Sequence, residues 1–442
     1  MKGMFRSLGG YNYRLWAGGA LISNIGTWMQ RTAQDWLVLT QLTHHNATAV
    51  GVVIALQFAP QLLLLPLTGF AADYFNRRKL LLVTQGLLGL LALGLGLLTI
   101  SGRVRLWQVD VFAFLLGSVA AFDIPARQTF VGELAGEEDL SNAVALNSTS
   151  FNAARMIGPA AAGVLIAAVG TGWVFLINAV SFVAVLGALL RLRTAQLHAS
   201  LRAPRGKSGL GEGFRYVWRR PDLRVGMLMF FLIGTFGLNF PIFISTMSVS
   251  VFHVGANQYG MLTSIMALGA VAGALLAAKR EKPHIGLLCL GAAVFGGGLA
   301  AAALMPDYVG FSLALVVIGV SAQTFTTTAS SLVQLSTEPG MRGRVLAILM
   351  AIALGGTPIG SPIVGWVVDR FGARWGVAIG AAAGFVAALA GGYYLARYRH
   401  LRLWLEGGRL RCRFDEEPFL TAASNQPKQP IAADTPADAG RE

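Results

Sequence analysis

Hydrophobic residues run along this chain in a dozen blocks of roughly 20 to 27 residues, each long enough to cross ~30 Å of hydrocarbon as a helix. Neither heptad spacing nor strict alternation prevails, so the blocks read neither as a coiled coil nor as half-buried strands. They predict helix 1 over residues 14–40, helix 2 over 48–72, helix 3 over 80–101, helix 4 over 106–131, helix 5 over 142–169 and helix 6 over 172–191. Helix 7 follows over 224–250, helix 8 over 258–279, helix 9 over 285–305, helix 10 over 308–334, helix 11 over 344–368 and helix 12 over 374–397. The expected fold is an all-α polytopic membrane protein with 12 transmembrane helices, and an even number of crossings leaves both ends on one side.

The polar interruptions divide the chain. The longest, residues 192–223, holds Pro204, Gly206, Gly209 and seven cations, with Arg191 and Arg224 at its edges, and separates an N-terminal bundle (1–191) from a C-terminal one (224–400). Within it, Leu210 to Arg220 reads either as a short amphipathic helix on the membrane surface, with Phe214, Tyr216 and Trp218 near the headgroups, or as a solvated linker. Residues 401–442 turn polar and rich in Pro, Ala and Asp, the composition of a disordered tail. The halves repeat: Ile157-Gly158, Gly163, Gly170 and Trp173 recur as Ile359-Gly360, Gly365, Gly372 and Trp375, all at one offset of 202 residues. A repeat of helix 5 in helix 11 predicts two pseudo-symmetric six-helix bundles related by an axis along the membrane normal.

Composition agrees with the pattern: 55% hydrophobic, mean hydropathy +0.60, and only 13% charged residues where soluble chains carry about 25%. The net charge of +14 invites a nucleic-acid reading, but its placement argues for a lipid bilayer as the partner and against nucleic acid. If both ends are cytoplasmic, 28 of the 35 Lys and Arg fall on that side, and the outer loops hold only Arg103, Arg105, Arg370 and Arg374. The first helix reads as uncleaved. Cys289 and Cys412 offer neither metal-site spacing nor a convincing disulfide, six histidines are scattered, and no phosphate-binding loop is present. No catalytic set, metal site or cofactor is expected, so this is not read as an enzyme, and any transport must draw on an ion gradient or the solute's own.

One loop carries a motif. Gly69-Phe70-Ala71-Ala72-Asp73-Tyr74-Phe75-Asn76-Arg77-Arg78-Lys79 squeezes an acid and three cations between two apolar blocks. With the paired bundles and basic central loop, it resembles the major facilitator superfamily signature between helices 2 and 3, with Tyr74 where arginine is often found. The segments Asn12 to Trp16, Ser23 to Gln30, Pro125 to Gln128 and Asn152 to Pro159 resemble a bacterial exporter branch that includes the enterobactin exporter, over roughly residues 10 to 400. Gly158-Pro159 followed by Gly163 is similar to the helix 5 antiporter motif of drug exporters. The resemblance implies a monomeric inner-membrane transporter that exports a small amphipathic compound, a siderophore or a drug, in exchange for protons. It also implies that Gly69, Asp73, Arg77, Arg78, Lys79 and Arg127 latch the cytoplasmic ends of helices 2, 4 and 11. An importer or uniporter on the same fold, and a non-transporting receptor or scaffold, are the alternatives.

Charge inside a bilayer is costly and marks candidate chemistry. The charges singled out are Arg31, Asp35, Asp123, Arg127 and Arg155, all in the first half. Asp123 and Arg127 stand i, i+4 on one face of helix 4. Arg155, about 13 residues into helix 5 or ~20 Å deep, would pair with Asp123 or meet an anionic substrate group, beside Asn152. Arg31 and Asp35 are again i, i+4, and Asp35 is either a proton acceptor or an interfacial residue beyond an early helix end. Helix 10, with Gln323 and its run of Thr and Ser, and helix 7, with Asn239, Phe231, Phe236 and Phe240, would supply the polar and aromatic wall of a cavity; most helix 10 hydroxyls would bond their own backbone.

Overall fold

The computed structural model describes residues 5–198, 210–278, 284–398, 402–406 and 409–413. Among them, nine helical segments are long and apolar enough to cross a membrane. One of these, Leu106–Val169, is two crossings joined at Gly136, whose φ of 70° and ψ of 176° break the helical path. Two further crossings fail the hydropathy or length test for local reasons. Helix 1, Tyr11–Trp36, continues through a π-helical turn, Leu37–Leu42, and is too polar along one face. Helix 2 is interrupted at Leu64 into Ala47–Leu63 and Leu65–Tyr74, the second piece opening with a proline in its first turn. The chain is thus a multi-pass membrane protein of twelve helices, with helix 3 at Arg77–Ile100, helix 6 at Thr171–Arg191, helix 8 at Ala256–Ala278, helix 9 at Ile285–Leu304, helix 10 at Tyr308–Ser336, helix 11 at Arg342–Phe371 and helix 12 at Ala373–Tyr398. Helix 7 runs from Pro221 to Val251 with two π turns inside it.

Helices 4 and 5 differ from expectation. No loop separates them over residues 132–141; helix 4 continues to residue 135 and helix 5 starts at 137. The charges Glu137, Glu138 and Asp139 that mark this stretch as polar sit in the first turn of helix 5, where acids favour the helix. Asp139 also holds Arg6 at 2.8 Å, tying the N-terminal turn to this junction.

The internal repeat appears as equivalent packing. A Cβ on Gly158 would meet the Cβ of Trp28 on helix 1 at 2.6 Å, and one on Gly360 would collide with the carbonyl of Thr235 on helix 7. Gly163 faces Ala256 and Asn257 of helix 8, and Gly365 faces Ala47 and Thr48 of helix 2. Gly170 and Gly372 share the positive φ, 88° and 101°, that turns each helix into the next. Helices 5 and 11 therefore do the same work in the two bundles, each packing on its own first helix and crossing to the other half.

These crossings bring the bundles together at the end of the molecule opposite the basic loops. Helix 2 lies along helix 11 and helix 5 along helix 8, and the last turns of helix 7 touch helices 1 and 2 there. Gly51 meets the carbonyl of Ser361, and Gly260 that of Pro159, so backbone lies directly on backbone. At the basic end, Ser148 and Phe151 of helix 5 are exposed.

The two readings of the central loop resolve for its last part. Leu210–Arg219 is a helix, and it docks on the start of helix 11 through an ion pair of Glu212 with Arg344 at 2.9 Å, while Phe214 and Trp218 stay exposed. Residues 199–209 lie outside the described part. In the segment expected to be a disordered tail, Arg402–Glu406 and Arg409–Arg413 pair as an antiparallel hairpin, and residues 414–442 are not described.

Close approach at the far end can be tested directly. Gly365→Val places a branched side chain against Ala47 and Thr48, and overpacking of this kind costs about 1–3 kcal/mol. The purified variant is expected to melt at a lower temperature and to show a longer distance between spin labels on the far ends of helices 2 and 11; an unchanged distance and melting point would contradict the packing.

Candidate functional site

A cavity of about 470 Å³ lies within the first bundle, walled by helices 1 to 6. Helix 1 presents Asn24, Thr27 and Arg31 at i, i+3 and i+7, a polar stripe along one face, with Gln30 beside it. Helix 2 adds Gln57, Phe58 and Gln61, helix 4 adds Asp123, Arg127 and Gln128, and helix 5 adds Asn147, Ser148, Phe151 and Asn152. The floor is fastened by Asn178 of helix 6, which donates to Gln30 at 2.5 Å.

Asp123 is the centre of a satisfied network. Its Oδ1 accepts from Thr84 and from Gln85 of helix 3, both at 2.7 Å, and its Oδ2 accepts from Arg127 at 2.7 Å. Arg127 donates its other nitrogen to Asn24 of helix 1 at 2.7 Å. The ion pair expected between Asp123 and Arg155 does not form. Arg127 stands on the same helix face at i+4 and takes the carboxylate, while Arg155 donates to Asn152 at 3.0 Å and leaves its Nε buried without a partner among the described residues. A buried acid holding three donors across helices 3 and 4 stabilises the bundle through its completeness.

Arg31 is different. Its guanidinium lies 5.1 Å from the ring centre of Trp28 and 5.9 Å from that of Phe58, with no carboxylate within 4 Å among the described residues. Helix 1 does not end before Asp35: it continues past it to Leu42, and Asp35 is 9% exposed. The Tyr259 hydroxyl of helix 8 lies 3.5 Å from Asp35 Oδ2, and the Tyr259 ring stacks on Trp36 at 5.7 Å. The acid therefore sits where the two bundles meet, one helical turn beyond the cavity's cation.

The residues expected from the second half lie elsewhere. Asn239 is buried between helices, donating to the Thr235 carbonyl and accepting from Ser361, both at 2.7 Å. Phe236 packs into the core, Phe231 is partly exposed, and Gln323 donates to Thr327 at 3.1 Å. Ser321, Thr326 and Ser330 of helix 10 do bond their own helix backbone.

Around the Gly69 to Lys79 loop, Arg77 holds Glu133 of helix 4 at 2.7 Å, and Arg78 donates to the carbonyls of Leu189 and Leu190 at the end of helix 6. Asn76 caps helix 3 by accepting from the Lys79 amide at 3.0 Å. Gly69 and Asp73 are on the helix Leu65–Tyr74, and their side-chain surroundings lie outside the described residues.

Two acids went unmarked by the sequence reading. Asp110, inside the helix 4 span, lies just past the first turn of that helix with one oxygen buried and unpartnered among the described residues. Asp369, at the end of helix 11, reaches across to the other bundle and caps helix 2: it accepts from the amides of Ala47 at 2.7 Å and Thr48 at 2.8 Å and from the Thr48 hydroxyl at 2.5 Å. A signal existed, because Gly365 and Asp369 repeat the spacing of Gly69 and Asp73.

A cavity inside one bundle, fastened backbone crossings between bundles and a two-fold repeat describe a transporter scaffold. Comparison with known proteins decides the family, for residues 10–401 match the transmembrane secretion effector family. The chain belongs to that family. It is 28% identical to the staphyloferrin A transporter of Staphylococcus aureus over 79% of this chain and 87% of that protein. The multidrug efflux pump Tap of Mycolicibacterium fortuitum is 26% identical, over 80% and 88% of the two chains, and the enterobactin exporter EntS of Citrobacter koseri is 26% identical, over 74% and 79%. Among solved structures, an inward-facing, unoccupied bacterial homologue of the human lysosomal transporter Spinster superposes with a TM-score of 0.66 at 14% identity, covering 90% of this chain and 96% of that one. The secretion effector chain described here thus has the major facilitator fold and is a transporter of small molecules.

The Asp123 network predicts a specific pattern of stabilities. Asp123→Leu leaves Arg127 in the bilayer without its carboxylate and is expected to cost on the order of 3 kcal/mol in chemical unfolding, whereas the double variant Asp123→Leu/Arg127→Leu is expected to recover most of that loss. Equal stabilities for the two variants would show that the pair is not the coupled unit.

Proposed function

We propose that this protein is a proton-coupled exporter that expels a small amphipathic compound bearing an anionic group, of the siderophore or drug type, across the bacterial inner membrane. The basic loops face the cytoplasm under the positive-inside rule, as do both chain ends, and the closed far end and exposed helix 5 residues then correspond to an inward-open state. The reading rests on Arg31, a cation held against two aromatic rings at the cavity wall with no carboxylate within 4 Å among the described residues. Desolvated cations in a membrane call for a partner, and a substrate carboxylate or phenolate supplies one, while Trp28, Phe58 and Phe151 take its apolar part. The siderophore and multidrug transporters among the relatives support the same class.

Coupling follows from Arg31 and Asp35 lying one turn apart. Substrate and proton alternate: Asp35 gives up its proton on the cytoplasmic side as substrate enters, and takes a proton from the outside after substrate has left. Opening the far end separates helix 1 from helix 8, uncovering Asp35 beneath Tyr259 to the outside. Asn152 and Arg155 line the same path from helix 5, Gly158 packs helix 5 on helix 1, and Pro159 and Gly163 form the surface on which helix 5 rocks against helix 8. The second-half candidates Asn239, Phe236 and Gln323 meet substrate in the opposite conformation. Asp73 and the cations Arg77, Arg78, Lys79 and Arg127 close the cytoplasmic ends when the protein faces outward. The transporter works as a monomer, each bundle supplying half of the moving interface.

In inverted vesicles, adding substrate candidates with an acid group should discharge an imposed pH gradient. Asp35→Asn is expected to abolish that discharge while leaving solute exchange intact, and Arg31→Gln to raise KM for acidic solutes at least about tenfold, the loss of roughly 1.4 kcal/mol. Full proton coupling in Asp35→Asn would remove this acid from the mechanism.

Asp369 gives an independent handle on the conformational cycle. Its three bonds to the start of helix 2 exist only while the far end is closed, and a charge-assisted cap is worth about 0.5–2 kcal/mol. Asp369→Ala is expected to raise the fraction of outward-open molecules, read as faster labelling of a cysteine placed on the far half of helix 11; unchanged labelling would show that the cap does not hold the gate.

A further inference from the structure

A second cavity lies outside the interior of the first bundle. It is a groove of about 660 Å³ between helices 1 and 6, on the face of helix 1 turned away from Asn24, Thr27 and Arg31. Its walls are Leu15 and Ile22 of helix 1 and Val180 and Val183 of helix 6. Its floor is opened by Gly18 and Gly187, where an added Cβ would meet nothing within 4 Å. Below them, Gly19 lies against Ala188 and Val185, so the two helices touch at the back of the groove and splay at its front.

The mouth has the opposite character. Arg14 and Arg191, both exposed, stand at the end that carries the basic loops, and neither forms an ion pair among the described residues. The backbone around them is held: Asn12 donates to the Arg193 carbonyl at 3.0 Å and accepts from the Arg193 amide at 2.9 Å, and the Arg193 guanidinium covers the Tyr11 ring at 4.3 Å. From Tyr11 to Ile22 the groove runs ~16 Å along helix 1, close to half the ~30 Å hydrocarbon thickness.

We propose that this groove binds one anionic phospholipid from the leaflet on the basic side, its phosphate between Arg14 and Arg191 and one acyl chain along the glycine floor. Length, apolar walls and a fixed pair of cations at headgroup level match a lipid of that leaflet in each part. A soluble anion would use the mouth and leave the apolar groove empty, and a zwitterionic lipid would fill the groove without using the net charge of the mouth. Because the groove backs onto helix 1, the same helix that carries Arg31, a bound lipid would brace that helix from behind.

The test is native mass spectrometry of the full chain released from mixed micelles of phosphatidylglycerol and phosphatidylcholine. The wild type is expected to retain one phosphatidylglycerol in preference to phosphatidylcholine. Arg14→Gln/Arg191→Gln should weaken phosphatidylglycerol retention by about fivefold per arginine and leave phosphatidylcholine retention unchanged. Gly18→Leu/Gly187→Leu, which fills the floor and keeps both arginines, should lower retention of both lipids. Glycerol phosphate added in excess should not displace the lipid. Wild-type retention in the double arginine variant, no effect of filling the floor, or displacement by glycerol phosphate alone would each overturn the proposal, the last by showing an anion site without a chain site. The melting temperature of each variant in lipid-free detergent, expected to equal that of the wild type, separates lost binding from lost folding.

Discussion

The structure depends on contact between backbones at one end of a two-bundle molecule. Gly51 against Ser361, Gly365 against Ala47, Gly163 against Ala256 and Gly260 against Pro159 are places where no side chain fits. Lipid tails are as apolar as leucine, so two helices in a bilayer gain little by hiding hydrophobic surface from each other; they gain by packing closely enough for many short contacts. Small residues on helices 2, 5, 8 and 11 supply that closeness. The same smoothness lets the interface open, because small residues rather than interlocking large ones line these four contacts.

Polar groups are distributed accordingly. Inside the first bundle they complete each other: Asp123 is fully engaged by Thr84, Gln85 and Arg127, and Asn178 by Gln30 and its own neighbours. Across the moving interface the polar contacts are few. The Asp369 cap on helix 2 and the 3.5 Å approach of Tyr259 to Asp35 are among them, and both lie at the closed end. Such an arrangement keeps each bundle rigid while leaving a small number of bonds to separate the conformations. The two bundles are also unequal in chemistry. They share a backbone repeat, yet the described cavity belongs wholly to the first, and Asn239 and Ser361 spend their polarity on joining helix 7 to helix 11.

Helix 1 is where packing and chemistry meet. One face carries Asn24, Thr27 and Arg31 into the cavity, the opposite face forms a wall of the groove with helix 6, and its last turns bring Asp35 to the other bundle. This polarity is why it falls below the hydropathy of an ordinary crossing. A π turn extends it to Leu42, so Asp35 remains within the helix and below the surface.

Twelve apolar blocks, their basic loops and the repeat at 202 residues were legible in the chain itself, because hydrocarbon thickness and the cost of buried backbone leave little choice of element or length. The family signature around Gly69 to Lys79 and the i, i+4 pair of Asp123 and Arg127 were legible for the same reason: each is local. What the tertiary structure decided was which partner each charge takes. Arg155 and Asp123 are equally available by depth, and only the packing of helix 5 turns Arg155 toward Asn152. Asp369 reads as a loop residue until helix 11 crosses to helix 2, and the acids at 137–139 read as a loop until helix 5 starts among them. Periodicity and charge specify a helix and its depth; the rotation of one helix against another is set by the glycines and side chains at their contact, and that sum over many small contacts is not written at any one position.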